Sequence, residues 1–217
     1  MEPYAALNNI DRQIESICPD LCHRDCYYVE AGANDGLRQS NTYFLEKKYG
    51  AKGLLIEPVP HRFRELKKNR SQRNSFASHV LTSFDYPFKQ AELIYSDLMT
   101  VADLGSCTDL GRSITEHAEA GRQYLSKNDP IRKITVPVGT LTQLLVEAAA
   151  PKEIGLVSLD LEGNELSALM GIDFSLHRIR HFVIESRDVG KIDSYLTPRG
   201  YVRTRQLSKH DYLFSRV

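Results

Sequence analysis

The chain predicts an open, mostly parallel α/β sheet with helices on both faces, closed by a C-terminal antiparallel hairpin. Three observations carry this expectation. Apolar segments alternate with segments of helical period; the strand runs are apolar throughout, as strands covered on both faces are; and two strand-like runs, Tyr201 to Gln206 and Asp211 to Arg216, follow one another at the end. At 217 residues there is enough chain for one well-buried domain, and it is short for two. Lys plus Arg and Asp plus Glu number 28 each, so no overall field favours nucleic acid or an anionic membrane as a partner. No apolar run approaches the ~20 residues that span a bilayer, and the N-terminus lacks a basic-then-apolar signal pattern, so a cytoplasmic protein is expected.

In chain order, Leu7, Ile10, Ile14 and Ile17 stand at helical spacing, giving residues 1–26 an amphipathic helix that packs on a single domain formed by residues 27–217. Pro19 stops that helix. Tyr27 to Ala31 reads as the first strand, Ser40 to Tyr49 as a helix closed by Gly50, and Lys52 to Pro58 as a buried second strand. The helix from His61 to Arg73 turns Phe63 and Leu66 to the sheet and leaves Arg62, Arg64, Lys67, Lys68, Arg70 and Arg73 as a solvated face. Ser78 to Ser83 reads as a third strand and Ala91 to Asp97 as an added one. Residues 98–130 are polar and weakly periodic apart from a helix over Ile114 to Leu125, which suits a substrate lid or a disordered loop. Then come a strand from Ile131 to Val138, a helix from Leu141 to Ala149, a strand from Ile154 to Leu161, a helix near Leu166 and a strand from His181 to Glu185. Cys18, Cys22 and Cys26 do not have the Cys-x-x-Cys spacing of a zinc knuckle and read as structural thiols.

The first strand runs into a glycine turn, Glu30-Ala31-Gly32-Ala33-Asn34-Asp35-Gly36, suited to a nucleoside-like cofactor. It lacks the Gly-x-Gly-x-x-Gly pattern that brings backbone against a pyrophosphate, and Glu30 would repel a phosphate. An acid there suits an amine or a cation, and S-adenosylmethionine carries both. Glu57 follows Gly36 by 21 positions, near the separation at which an acid reaches a ribose diol. Alternation along the Ile154 strand puts Asp160 and Glu162 on one face. With Glu185 they are candidates for accepting a proton from a hydroxyl or for ligating a hard cation such as Mg²⁺, with His117 and His181 ranked below them. Glu165 reads as a helix-capping acid.

Taken together, Glu30 to Gly36, Gly53-Leu-Leu-Ile-Glu57-Pro58, Asn69-Arg70, Asp160-Leu-Glu-Gly-Asn-Glu165, Gly171-Ile-Asp-Phe174 and Val183-Ile-Glu-Ser186 resemble the FkbM-type S-adenosylmethionine-dependent methyltransferases, over roughly residues 27 to 217. The resemblance implies a class I methyltransferase fold, Rossmann-like and seven-stranded, with the last strand antiparallel. It implies a cofactor over the first two strands, lined by Glu30, Gly32, Asn34, Asp35, Gly36 and Glu57 with Ala33 and Pro58 beside them, and Asp160 facing cofactor and acceptor together. Glu30 stands where the family often has aspartate. Family members commonly methylate hydroxyls of sugars or secondary metabolites, so a small-molecule or glycan acceptor is expected, with N- or O-methylation of a peptide as the alternative. A nicotinamide-dependent oxidoreductase and a non-catalytic cofactor-binding subunit are the readings from other classes.

Overall fold

The computed structural model describes residues 2–105, 110–126 and 129–217. Its strands are β1 (Tyr27–Ala31), β2 (Lys52–Ile56), β3 (Ser75–Ala77), β4 (Val80–Leu81), β5 (Gln90–Tyr95), β6 (Val101–Asp103), β7 (Arg132–Gly139), β8 (Glu153–Leu159), β9 (Arg178–Glu185), β10 (Tyr201–Gln206) and β11 (Asp211–Arg216). The helices are α1 (Ile10–Ile17), α2 (Tyr43–Tyr49), α3 (Pro60–Asn69), α4 (Ile114–Ala120), α5 (Leu141–Glu147), α6 (Glu165–Leu169) and α7 (Val189–Leu196). Among the described residues, seven strands form one mixed sheet in the order β10-β11-β9-β8-β1-β2-β3, and β4-β7-β5-β6 form a second.

The pairs β1/β2, β2/β3, β1/β8 and β8/β9 are parallel, whereas β11 is antiparallel to both β9 and β10. The edge strand β10 therefore runs with the body of the sheet, and the reversed strand is the one inside it. The continuous apolar reading of β1 has a direct cause. Tyr27, Val29 and Ala31 face a cluster built with α5, α6 and α7, while Tyr28 faces one built with α1, α2 and α3. Ile10 and Ile14 of α1 belong to the second cluster, so the N-terminal helix packs on the sheet as its periodicity requires.

Several elements differ from the sequence reading. The third strand of the main sheet is β3, not Ser78 to Ser83; that span holds only β4, which pairs with β7 in the second sheet. Three half-buried residues are too few to show a period, so β3 left no signal. The predicted strand Ile131 to Val138, observed as β7, also belongs to the second sheet, where it is antiparallel to β5. The α2 helix begins at Tyr43, because Ser40, Asn41 and Thr42 turn inwards to Glu30. Much of 98–130 is ordinary structure: a 3-10 turn at Asp97–Met99, then β6, α4 and a second turn at Gly121–Tyr124. Residues 106–109 and 127–128 of the expected lid lie outside the described residues. Among the described residues no helix is long and apolar enough to cross a membrane.

Gly53 shows how tightly β1 and β2 are matched. A Cβ there would stand 2.1 Å from the Tyr28 carbonyl oxygen and 2.5 Å from its ring. Gly53→Ala is expected to lower stability by about 1–3 kcal/mol, the usual cost of overpacking, as read by chemical denaturation.

Candidate functional site

The sheet order reverses beside β1, which lies between β2 and β8, and ligands of open α/β sheets bind in the crevice at such a point. Two turns meet there. Gly32 and Ala33 donate their N–H groups to the Ile56 carbonyl at 3.1 and 3.0 Å, and the Asp160 N–H donates to Ala31 at 3.1 Å. Gly32, at φ +82°, lies so close to Asp160 that a Cβ would stand 2.0 Å from the Asp160 carbonyl oxygen. A Cβ on Gly36, at φ +83°, would collide with Arg70 and Leu66. The two glycines expected to admit a ligand thus first admit other parts of the chain.

Glu30 is 4% exposed, and its carboxylate faces into the protein. It accepts from the Ser40 hydroxyl at 2.8 Å, the Asn41 N–H at 2.8 Å, the Thr42 hydroxyl at 2.7 Å and Arg70 Nη1 at 3.0 Å. Glu30 lines the larger cavity, and four of its bonds already go to the loop that leads into α2 and to Arg70, so it scaffolds that loop as well. Arg70, expected on a solvated helix face, has no exposed side-chain surface. It bridges Glu30, Glu46 (Nε to Oε2, 2.9 Å), the Tyr28 hydroxyl (2.9 Å) and the Gly36 carbonyl (3.1 Å). Burial alone would raise the Glu46 carboxyl, but Arg70 beside it holds it below the ordinary range. Asp35 accepts the N–H groups of Leu37 and Arg38, so Asp35 and Gly36 shape the turn.

Two adjoining cavities share Gly32, Asn34 and Leu98. The smaller, about 80 Å³, lies over the end of β2 between Glu57, Pro58 and Val59 and apolar side chains of the second sheet such as Val80, Leu93 and Ala102. Glu57 is 6% exposed; its two oxygens accept the N–H groups of Asn34 and Val59, each at 2.8 Å. Burial pushes its carboxyl up to about 7 despite those bonds. Asn34, left-handed at φ 49°, keeps its side-chain oxygen buried without a partner. An orphaned acceptor beside a carboxylate with spare lone pairs, facing apolar walls, fits a nucleoside end with hydroxyl donors.

The larger cavity, about 260 Å³, takes in Ala33, Ser158 and the carboxylates Asp160, Glu162, Glu185 and Asp211. Oxygens of Asp160, Glu162 and Glu185 lie within 4.8 Å of one another. The strand-alternation argument for this pair fails in detail, because β8 ends at Leu159 and Glu162 sits in the following loop at φ 50°; the carboxylates converge through the turn instead. Asp160 is open to the cavity but otherwise enclosed by protein. That enclosure, with Glu185 and Glu162 alongside, drives its carboxyl well above the carboxylate range. Enclosure and Glu162 raise Glu185 likewise. Glu165 accepts the N–H groups of Leu161 (2.8 Å) and Gly163 (3.2 Å), so it ties down the loop ahead of α6 where a helix cap was expected, and burial raises it to about 8.

Both histidines stand apart from the chemistry. His117 is fully buried and lines neither cavity; Arg112 Nη2 lies 2.9 Å from its Nδ1. Arginine can only donate, so the ring carries its proton on Nε2, which lies 3.1 Å from a Glu162 oxygen outside hydrogen-bonding geometry. His181 is engaged by Ser215 at 2.9 Å and Asp20 at 3.2 Å, in a separate depression. Burial pushes the Cys18 and Cys26 thiols up to about 12, consistent with unreactive structural cysteines. Residues the sequence reading missed are Arg62 and Asp97, ion-paired at 2.5 Å beside the smaller cavity, and Arg38 and Arg187 at the larger one. Charge alone marked Arg62, and its pattern was that of a solvated face.

This sheet order and two-part crevice define a methyltransferase-like α/β fold of the class I type. The chain belongs to the FkbM methyltransferase family: the family's domain model matches residues 30–203. Among solved structures, methyltransferase FkbM from Methylobacillus flagellatus KT superposes with a TM-score of 0.51 at 14% identity, covering 88% of this chain and 43% of its own. The METTL16 methyltransferase domain gives 0.51 at 10% identity, covering 96% and 66%. At these identities the likeness establishes the fold, and the chain spans less than half the length of the first structure and just under two thirds of the second. No curated protein matches the chain in sequence.

Two outcomes follow from the electrostatics. Arg70→Met leaves Glu30 and Glu46 buried without their cation and is expected to cost about 3–5 kcal/mol in denaturant unfolding. Asp160, Glu57, Glu165 and Glu185 hold protons in the folded chain that the unfolded chain releases in the ordinary carboxylate range. They therefore favour folding most in acid, and that contribution is lost as pH rises through about 7 to 8. The ligand-free melting temperature is expected to fall between about pH 5 and about pH 8, and Glu165→Gln to flatten the fall.

Proposed function

We propose that this protein transfers a methyl group from S-adenosylmethionine to a hydroxyl group of a sugar or a secondary metabolite. The observation that carries the reading is the convergence of the Asp160 and Glu185 carboxylates, with oxygens within 4.8 Å at the ends of neighbouring strands, in a cavity that shares Gly32, Asn34 and Leu98 with the one beside Glu57. Bound S-adenosylmethionine supplies an electrophilic methyl group on a sulfonium, suited to in-line displacement. Glu57 accepts the ribose hydroxyls, and the Asn34 side-chain oxygen takes a further donor. The acceptor hydroxyl is a poor nucleophile at neutral pH. Glu185, raised to about 7 by enclosure, is matched to that task, because a base titrating near the working pH takes up the departing proton most effectively. Glu162, with Arg187 3.8 Å away, repels the charged forms of the pair and so helps raise both carboxyls. A peptide nitrogen or hydroxyl as acceptor is the alternative, and loss of label transfer to small molecules but not to peptides would favour it.

The three clustered acids also offer a hard cation oxygen ligands, which supports Mg²⁺ dependence as a second reading. The two part on chelation: EDTA leaves activity unchanged if the acids work as a proton acceptor and abolishes it if they hold a metal.

Asp160→Asn and Glu185→Gln are expected to lower kcat by ~10² to 10⁴ while cofactor affinity measured by calorimetry stays nearly constant. Glu57→Ala should instead weaken cofactor binding ~10- to 100-fold, the worth of a lost bond to a charged acceptor. Because only the ionised Glu57 accepts from both ribose hydroxyls, cofactor Kd is expected to rise as pH falls below about 7. Unchanged affinity in Glu57→Ala would remove the ribose assignment.

A further inference from the structure

Leu7 and Ile10 line the same cavity as Asp160 and Glu185, although the family's domain begins only at residue 30. The segment that carries them is pinned rather than draped. Asp11, 1% exposed, accepts the N–H groups of Ala5 at 2.6 Å and Ala6 at 2.9 Å, and Gln13 Nε2 donates to the Leu207 carbonyl at 3.0 Å in the C-terminal hairpin. Between these anchors Asn8 and Asn9 are both left-handed, at φ 55°, a conformation asparagine tolerates but that costs free energy at two successive positions. The turn keeps Leu7 out of the core: its side chain is 56% exposed while Ile10 and Ile14 are buried. From the other side of the sequence, Met99 and Tyr124 reach the same cavity, Tyr124 with 40% of its surface exposed. Apolar side chains left open to water gain nothing for folding. Lining a cavity floored by carboxylates, they gain on contact with a ligand that is apolar at one end and carries a hydroxyl at the other.

We propose that Leu7 and Tyr124 form the apolar walls of the acceptor subsite, so that the acceptor is a small molecule bearing its hydroxyl on or beside an apolar ring. This rests on the methyl-transfer reading above. Leu7 and Tyr124 select the acceptor by its ring, and Asp160 and Glu185 engage its hydroxyl.

The test uses protein saturated with S-adenosylhomocysteine and titrated by calorimetry with phenyl β-glucoside and methyl β-glucoside, which share a polyol and differ in the ring. The phenyl compound is expected to bind about tenfold tighter, the discrimination a small apolar contact gives. Leu7→Asp and Tyr124→Ala should abolish that preference and leave S-adenosylhomocysteine affinity within about twofold. Since Leu7 is exposed, an unchanged melting curve verifies that Leu7→Asp folds, and Leu7→Ala should give an intermediate preference. Equal affinity for the two glucosides, binding of neither, or a preference that survives both substitutions overturns the proposal alone. Failure of S-adenosylhomocysteine to bind removes the methyl-transfer reading and this subsite with it.

Discussion

Arg70 is the interaction on which the rest of the crevice depends. Its guanidinium has no exposed surface and joins the end of β1, the turn at Gly36 and the start of α2 through Glu30, Tyr28 and Glu46. Removing two carboxylates and a guanidinium from water costs several kcal/mol per ion, and only near-complete hydrogen bonding offsets it. The neighbouring hydroxyls of Ser40 and Thr42 and the N–H of Asn41 complete that bonding. A single geometry satisfies the whole set, so the glycine turn is rigid before any ligand arrives, and rigidity lowers the ordering cost of binding.

The same scarcity of water acts in the opposite sense across the crevice. Glu30 and Glu46 have a cation, whereas Asp160, Glu162 and Glu185 crowd together with Arg187 only at 3.8 Å from Glu162. Asp160 and Glu185, enclosed without full compensation, are raised above the ordinary carboxylate range instead. One strand end thus carries fixed charge and shapes the backbone, while its neighbour carries charge that moves with protons. Fixed charge suits positioning and mobile protons suit acid–base work.

The sequence made the main sheet legible wherever a strand was apolar on both faces. β1, β2, β8 and β9 fell near their predicted positions, because continuous burial leaves a continuous apolar run. β3 and β4 were displaced because strands of two or three residues have no readable period. The acids at Asp160, Glu162 and Glu185 were legible from their places at strand ends, yet their closeness depends on a left-handed residue at Glu162 that alternation cannot foresee. Arg70 was misread, and the scaffolding by Glu30 missed, for a common reason. A charged residue shows its sign in the sequence but not its partner, and 40 positions separate these two. His117 looked like a candidate base because nothing in its neighbourhood reveals that Arg112 fixes its tautomer.

The tie from Gln13 to Leu207 closes a loop of 194 positions, and Asp211 just beyond it belongs to the larger cavity. The larger cavity therefore joins Leu7 and Ile10 to Asp211, residues about 200 positions apart in the sequence. The antiparallel pairing of β11 with β9 sets Asp211 opposite Glu185, so the hairpin also reaches the acidic side of that cavity. Loosening the tie between α1 and the hairpin would therefore be felt at the cavity itself, through Leu7 and Ile10 on one side and Asp211 on the other.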